Sequence, residues 1–145
     1  MVVSNSSVRR REREDDRARD RRLRALGRLG ETFALRHLRA RGFTILVRNY
    51  RTPHGEIDLI AFDGCTLIFV EVKTQMRASG TPVGESPLAS LSARQLARLR
   101  QIAHAWLHDP RHSSPVAEIM RFDAIGVRVD AKGALVDLQH IEGLD

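Results

Sequence analysis

The sequence predicts an α/β fold: one sheet of about five strands with helices packed on it. Three observations carry this. Apolar residues recur every three to four positions in two stretches, near 26–41 and 92–108, and five shorter runs read as strands, of which 118–129 alternates. An Asp63-Gly64 pair stands between two apolar runs, a strong tight-turn signal. The pattern along the chain is helix, three strands, helix, two strands, with no internal repeat and no second domain.

Residues 26–41, LGRLGETFALRHLRAR, form the first helix and stop at Gly42. FTILVRNYRT (43–52) is the first strand, and Pro53-His54 ends it. GEIDLIAF (55–62) and TLIFVEVKTQ (66–75) flank the Asp63-Gly64 turn. MRASGTPVGESP (76–87) is a Gly/Ser/Pro-rich loop. Ser90 or Ser92 caps the second helix, which runs to about His108 with Leu96, Leu99, Ile102, Ala103 and Trp106 as its apolar stripe. EIMRFDAIGVRV (118–129) and ALVDLQHI (134–141) are the last strands, joined at Lys132-Gly133.

The 145 residues suffice for one domain with a core of its own. No apolar run approaches the ~18–20 residues that span a bilayer, and the first residues lack the apolar segment of a secretory signal. The single Cys65 has no partner for an internal disulfide, which suits a reducing cytoplasm. The expected location is cytoplasmic, without a membrane partner.

Net charge is +6 and the isoelectric point about 10.8, but the charge is unevenly placed. Residues 1–28 hold ten Arg against five acids, whereas residues 29–145 hold 14 basic against 13 acidic residues. Residues 1–25 therefore read as a basic tail, disordered or a solvated helix. It is either a solubilising extension or an aid to phosphate binding. Residues 26–145 are the domain proper.

The chemistry concentrates in the two strands around the Asp63-Gly64 turn. Only two of the 24 basic residues are Lys, so Lys73 two places after Glu71 is conspicuous. By composition, Glu-x-Lys arises roughly 0.1 times in such a chain. Glu71 and Lys73 share a strand face, as do Glu56 and Asp58 one strand back. Register about the turn brings Asp58 close to Glu71 and Lys73 near Glu56. Two readings fit. One is an ion-paired hairpin edge. The other is a hard divalent cation, Mg²⁺ or Mn²⁺, held by Asp58 and Glu71, with Lys73 as the amine that orients water or steadies a phosphate. Glu31 is a carboxylate among the apolar positions Ala34, Leu35 and Leu38. Arg48 and Arg51 either touch phosphate or neutralise the acids.

Taken together, G-x-x-G-E before the first helix body, R-N-Y-R, G-E-I-D-L-I, F-V-E-V-K-T and the late R-F-D closely resemble the YraN-like family of bacterial proteins. Its members are predicted endonucleases similar to archaeal Holliday-junction resolvases and to the restriction-endonuclease-like superfamily. The resemblance covers about residues 26–142. It implies a restriction-endonuclease-like core, a mixed sheet flanked by helices. It also implies metal ligands at Asp58 and Glu71, a catalytic amine at Lys73, an accessory acid at Glu31 and a further metal-associated acid at Glu56. Where the family has Lys-Gln at the second helix start, this chain has Arg94-Gln95. Arg94 keeps a charge for phosphate contact and Gln95 is expected to line the site.

The resulting expectation is a metal-dependent nuclease acting on DNA in preference to RNA. Branched or single-stranded substrates and a homodimer are expectations by analogy with the resolvases. The alternative is a non-catalytic nucleic-acid-binding module on the same fold. His104, His108 and His112 fall four apart, but Pro110 interrupts them, so a solvated helix end is expected rather than a metal site. Asp123 is expected to make a structural ion pair, and Tyr50 and Trp106 to pack in the core.

Overall fold

The computed structural model describes residues 4–78 and 84–144. Its elements are α1 (Asn5–Ala40), β1 (Thr44–Thr52), β2 (Gly55–Phe62) and β3 (Thr66–Met76), then a 3₁₀ turn (Pro87–Ser90). α2 (Ala93–Leu107), β4 (Ile119–Val129) and β5 (Leu135–Ile141) complete it. The five strands form one sheet in sequential order. β1, β2 and β3 pair antiparallel, β3 and β4 pair parallel through the α2 crossover, and β5 returns antiparallel to β4. The sheet is mixed, as expected of a restriction-endonuclease-like core.

The helices lie on opposite faces. α1 covers one face through Ala34, Leu35 and Leu38, which pack on Leu59, Ala61, Ile68, Val70 and Ile125. α2 covers the other through Leu96, Leu99, Ile102, Ala103 and Trp106, against Ile60, Leu67 and Phe69. The central strands are thus buried on both sides, which explains their near-continuous apolar runs. The α2 stripe read from the sequence is the buried face of that helix. Ser92 caps it reciprocally: its hydroxyl accepts from Gln95 N–H, and the Gln95 side chain accepts from Ser92 N–H.

Local chemistry sets the ends of the other elements. α1 closes on Gly42 at φ +92°, with Gly42 N–H donating to Arg39 and Phe43 N–H to Leu38. This is the Schellman pattern, and the left-handed position favours Gly. At the β2–β3 turn the Asp63 carboxylate accepts from the N–H groups of Cys65 and Thr66, while Gly64 sits at φ +98°.

α1 shows no break at Leu26. Residues 5–25 continue the same helix, being rich in Arg, a good helix former. What changes is burial: before Leu26 only Ala18 is even half-covered, and the first buried position is Gly30. Of the two forms open to the basic segment, the solvated helix is the one described.

Asp123 anchors β4 to β5 and to the chain's end. It is fully buried and accepts from the Arg121 guanidinium, His140 Nε2 and Gly143 N–H. His140 Nδ1 in turn lies 2.9 Å from His37 Nε2 on α1. Burial alone raises the Asp123 pKa, yet the bonds from His140, Arg121 and Gly143 carry it down to about 2. Its folded value lies below the unfolded one, so this stabilisation is present above about pH 4 and lost as pH falls through about 2. Asp123→Ala should cost about 3 kcal/mol at neutral pH, because it strands buried donors. Urea unfolding followed by circular dichroism measures this, and a cost under about 1 kcal/mol would refute the anchoring role.

Candidate active site

The hairpin of β2 and β3 opens at one end. Its ladder runs from Phe62↔Leu67 to Leu59↔Val70. The next backbone donor of β3 on this side, Val72 N–H, instead meets the Asp58 carboxylate at 2.7 Å. Asp58 therefore ends the pairing and sits where the two strands part. Its register with Glu71 is the one expected from the Asp63-Gly64 turn.

The carboxylates converge at this opening. Oxygen atoms of Glu31, Glu56 and Asp58 all lie within 4.8 Å of one another. Glu71 joins from β3, beside Asp58 and paired through Oε1 with Lys73 Nζ at 3.4 Å. The described contacts pair Lys73 with Glu71 and not with Glu56, because β2 and β3 have separated before Lys73 is reached. Glu56 instead pairs with Arg51 across the β1–β2 ladder at 3.3 Å.

Glu31 reaches this group from the other face of the sheet through the residue before it. A Cβ on Gly30 would lie inside the Thr74 side chain of β3, so only Gly allows α1 to approach this closely. That approach carries the Glu31 carboxylate over the sheet end.

The electrostatics follow from burial. Asp58 is only 7% exposed and has no ion-pair partner among the described residues. Desolvation, then the charge of Glu71, push its pKa up to about 8, despite the Val72 N–H that favours the anion. Glu71 is raised chiefly by desolvation, with Lys73 opposing. Glu31 is raised by burial, against a hydrogen bond from Asn49 and the charges of Arg48 and Arg28.

A cleft of ≈ 270 Å³ connects these acids to α2. Glu56, Asp58 and Glu71 line one side, and Gln95, Arg98 and Ile102 line the other. Gln95 is therefore at the site while also closing the helix cap. Arg94 is not among the cleft residues; it lines a neighbouring depression with His54 and Gln101. Arg98, one turn further along α2, takes the cleft position, its stem lying over Gly55 at φ +129°. Arg48 is exposed and acts on Glu31 electrostatically.

Two residues of this site escaped the sequence reading. Arg98 reads as the solvated flank of an amphipathic helix, and nothing in its spacing distinguishes it from Arg100. Asn49 left a signal: it is an amide within an alternating strand, and it adopts φ +53°, where Asn is the commonest non-Gly residue. The other candidates behave as expected, His112 excepted. His104 and His108 are exposed at the helix end, whereas His112 stacks on Trp106. Trp106 is buried, and Tyr50 packs beside it with its hydroxyl 3.4 Å from Asp109.

The match to known proteins follows the same residues. The profile of the "Uncharacterised protein family UPF0102" matches residues 30–127, from Gly30 beside Glu31 into β4. The chain belongs to UPF0102, the YraN family. A UPF0102 protein of Frankia casuarinae is 44% identical over 119 residues, covering 82% of this chain and 94% of that protein. One from Parafrankia is 45% identical over 118 residues, covering 81% and 93% respectively. One from Mycobacterium bovis is 40% identical over 124 residues, covering 82% and 91%. Among the described residues no helix of this UPF0102 member is long and apolar enough to cross a membrane.

Proposed function

We propose that this protein is a metal-dependent nuclease that hydrolyses phosphodiester bonds, with DNA as its substrate. The observation that carries the reading is Asp58. A buried carboxylate without a counter-cation, ringed by Glu31, Glu56 and Glu71, is costly as a purely structural device. It becomes favourable when a cation enters. All the donors are carboxylate oxygens, which fit Mg²⁺ or Mn²⁺ and not a soft metal.

Asp58, Glu71, Glu56 and Glu31 are the residues that would hold the ion. When bound, a hard divalent cation neutralises phosphate charge and makes attacking water more acidic. Lys73, adjacent to Glu71, is the one amine in this group, and a compact ammonium can orient water or donate to a phosphate oxygen. Arg98 faces the acids across the cleft and supplies the opposite wall with a phosphate contact. Asn49 fixes the Glu31 carboxylate, and Gln95 fixes the start of α2 against the cleft.

The test is cleavage of labelled duplex, single-stranded, flap and four-way-junction DNA, with RNA counterparts, in Mg²⁺ or Mn²⁺. Lys73→Ala should lower the cleavage rate about 10²–10³-fold while binding persists. The substrate cut fastest defines the structural preference, and a branched form is the expected one. Binding without cleavage of any substrate would overturn the nuclease reading and leave a binding module on this fold.

A further inference from the structure

The exposed half of α1 is not uniformly basic. Arg10, Arg13, Arg17, Arg21, Arg24 and Arg28 follow one another at steps of three and four, which places them on one helix face. The stripe spans 18 residues, roughly 27 Å along the axis. Glu14 and Asp20 border it, and Glu12, Asp15 and Asp16 lie away from it. Arg11, Arg19 and Arg22 occupy the opposite side, where Asp15 is four residues from both Arg11 and Arg19.

The stripe leads to the active site. Arg10, Arg17, Arg24 and Glu31 are spaced by seven, so the line of arginines ends at the acid that α1 contributes to the cluster. Arg28, one turn before Glu31, already acts on it electrostatically. Arg10 pairs with Glu14 at 3.0 Å, whereas no described ion pair holds Arg13, Arg17, Arg21, Arg24 or Arg28. Like charges four apart cost an isolated helix about 0.2–0.5 kcal/mol per pair, so the arrangement favours an anionic partner.

We propose that this arginine face is a phosphate-backbone rail that holds duplex nucleic acid beside α1 and feeds it toward the acid cluster that Glu31 joins. Its length matches about eight phosphates of one strand at 3.4 Å per charge along a duplex. The partner is nucleic acid and not a bilayer. A membrane-surface helix needs a broad apolar face, and here Val8 and Leu23 are the only large apolar side chains between residues 5 and 25. The rail lies ahead of the residues matched by the family profile, which start at 30, so it is an addition to the shared domain.

The inference rests on the nuclease reading for its direction toward the cleft, but its test does not use cleavage. Binding of a labelled 24-base-pair duplex to the full chain is measured by anisotropy in EDTA across a KCl series. The rail variant R17E/R21E/R24E is compared with the opposite-face variant R11E/R19E/R22E, which carries the same net charge. Circular dichroism checks that both keep their helix, and R17K/R21K/R24K supplies charge without reversal. The rail variant should lose at least 30-fold in affinity at about 100 mM KCl and reduce the salt slope by about 3, while the opposite-face variant loses less than about threefold. The lysine variant should stay within about threefold of wild type. Equal losses in both Glu variants would overturn the rail in favour of diffuse charge. Vesicles containing phosphatidylserine form the second arm: vesicle binding that depends on the stripe, with duplex binding unaffected, would overturn the nucleic-acid assignment. Because these readouts need no metal, an inactive nuclease with a working rail is distinguishable from a nuclease without one.

Discussion

Replacing Asp58 with Asn should abolish metal-dependent cleavage, at least 10³-fold, and at the same time stabilise the metal-free protein above pH 8. The two effects have one cause. The Asp58 pKa lies near 8 in the fold, raised by burial and by Glu71, against about 4 in an unfolded chain. Between those values the folded state holds a proton that the unfolded state has released. Stability therefore falls as pH rises through that window, and the cost is fully felt above about 8. Asparagine carries no charge, and its oxygen still accepts from Val72 N–H. A gain of about 1–3 kcal/mol is expected at pH 8.5 in EDTA, a rise of roughly 3–10 °C in Tm, shrinking toward zero near pH 4. Mg²⁺ should separate the two proteins. It should stabilise wild type by about 2.7 kcal/mol at a hundredfold excess over its Kd, and leave Asp58→Asn unchanged. Thermal scans at several pH values, with and without Mg²⁺, read all of this. A wild-type Tm indifferent to Mg²⁺ at pH 8 would remove the metal site.

Gly30→Ala should cost about 2–4 kcal/mol, although Ala is the better helix former. The added methyl would overlap the Thr74 side chain, and both elements are buried around the contact, so α1 must lift from β3. Lifting α1 also withdraws Glu31 from Glu56 and Asp58. Gly27→Ala, three residues earlier on the same helix, is the control: nothing lies within 4 Å of its added Cβ. That change should be neutral or stabilise by about 0.5–1 kcal/mol. Urea titrations of the two variants decide the matter. Matching effects would show that backbone propensity, not the approach to Thr74, governs both positions.

Much of this architecture is legible along the chain because its causes are local. The Asp63-Gly64 turn, the Ser92–Gln95 cap and the Gly42 stop are written in neighbouring residues. So is the hairpin register, which follows from the turn and predicts Asp58 beside Glu71. The Glu71–Lys73 pair follows from their shared strand face, whereas whether Lys73 also reaches Glu56 is not legible, because it depends on where β2 and β3 part. Nor is the choice of Arg98 over Arg94 for the cleft, which depends on how α2 is rotated against Gly55.

The amino-acid order alone thus determines the elements, the turn and the pair of acidic strands, since each rests on periodicity or on interactions within a few residues. Only the tertiary structure brings Glu31 to Glu56 and Asp58, because that meeting requires α1 to lie against β3 at Gly30. The same packing removes water from Asp58 and turns an ordinary carboxylate into one that retains its proton near neutral pH. Burial is a property of what surrounds a residue, and no spacing along the chain records it.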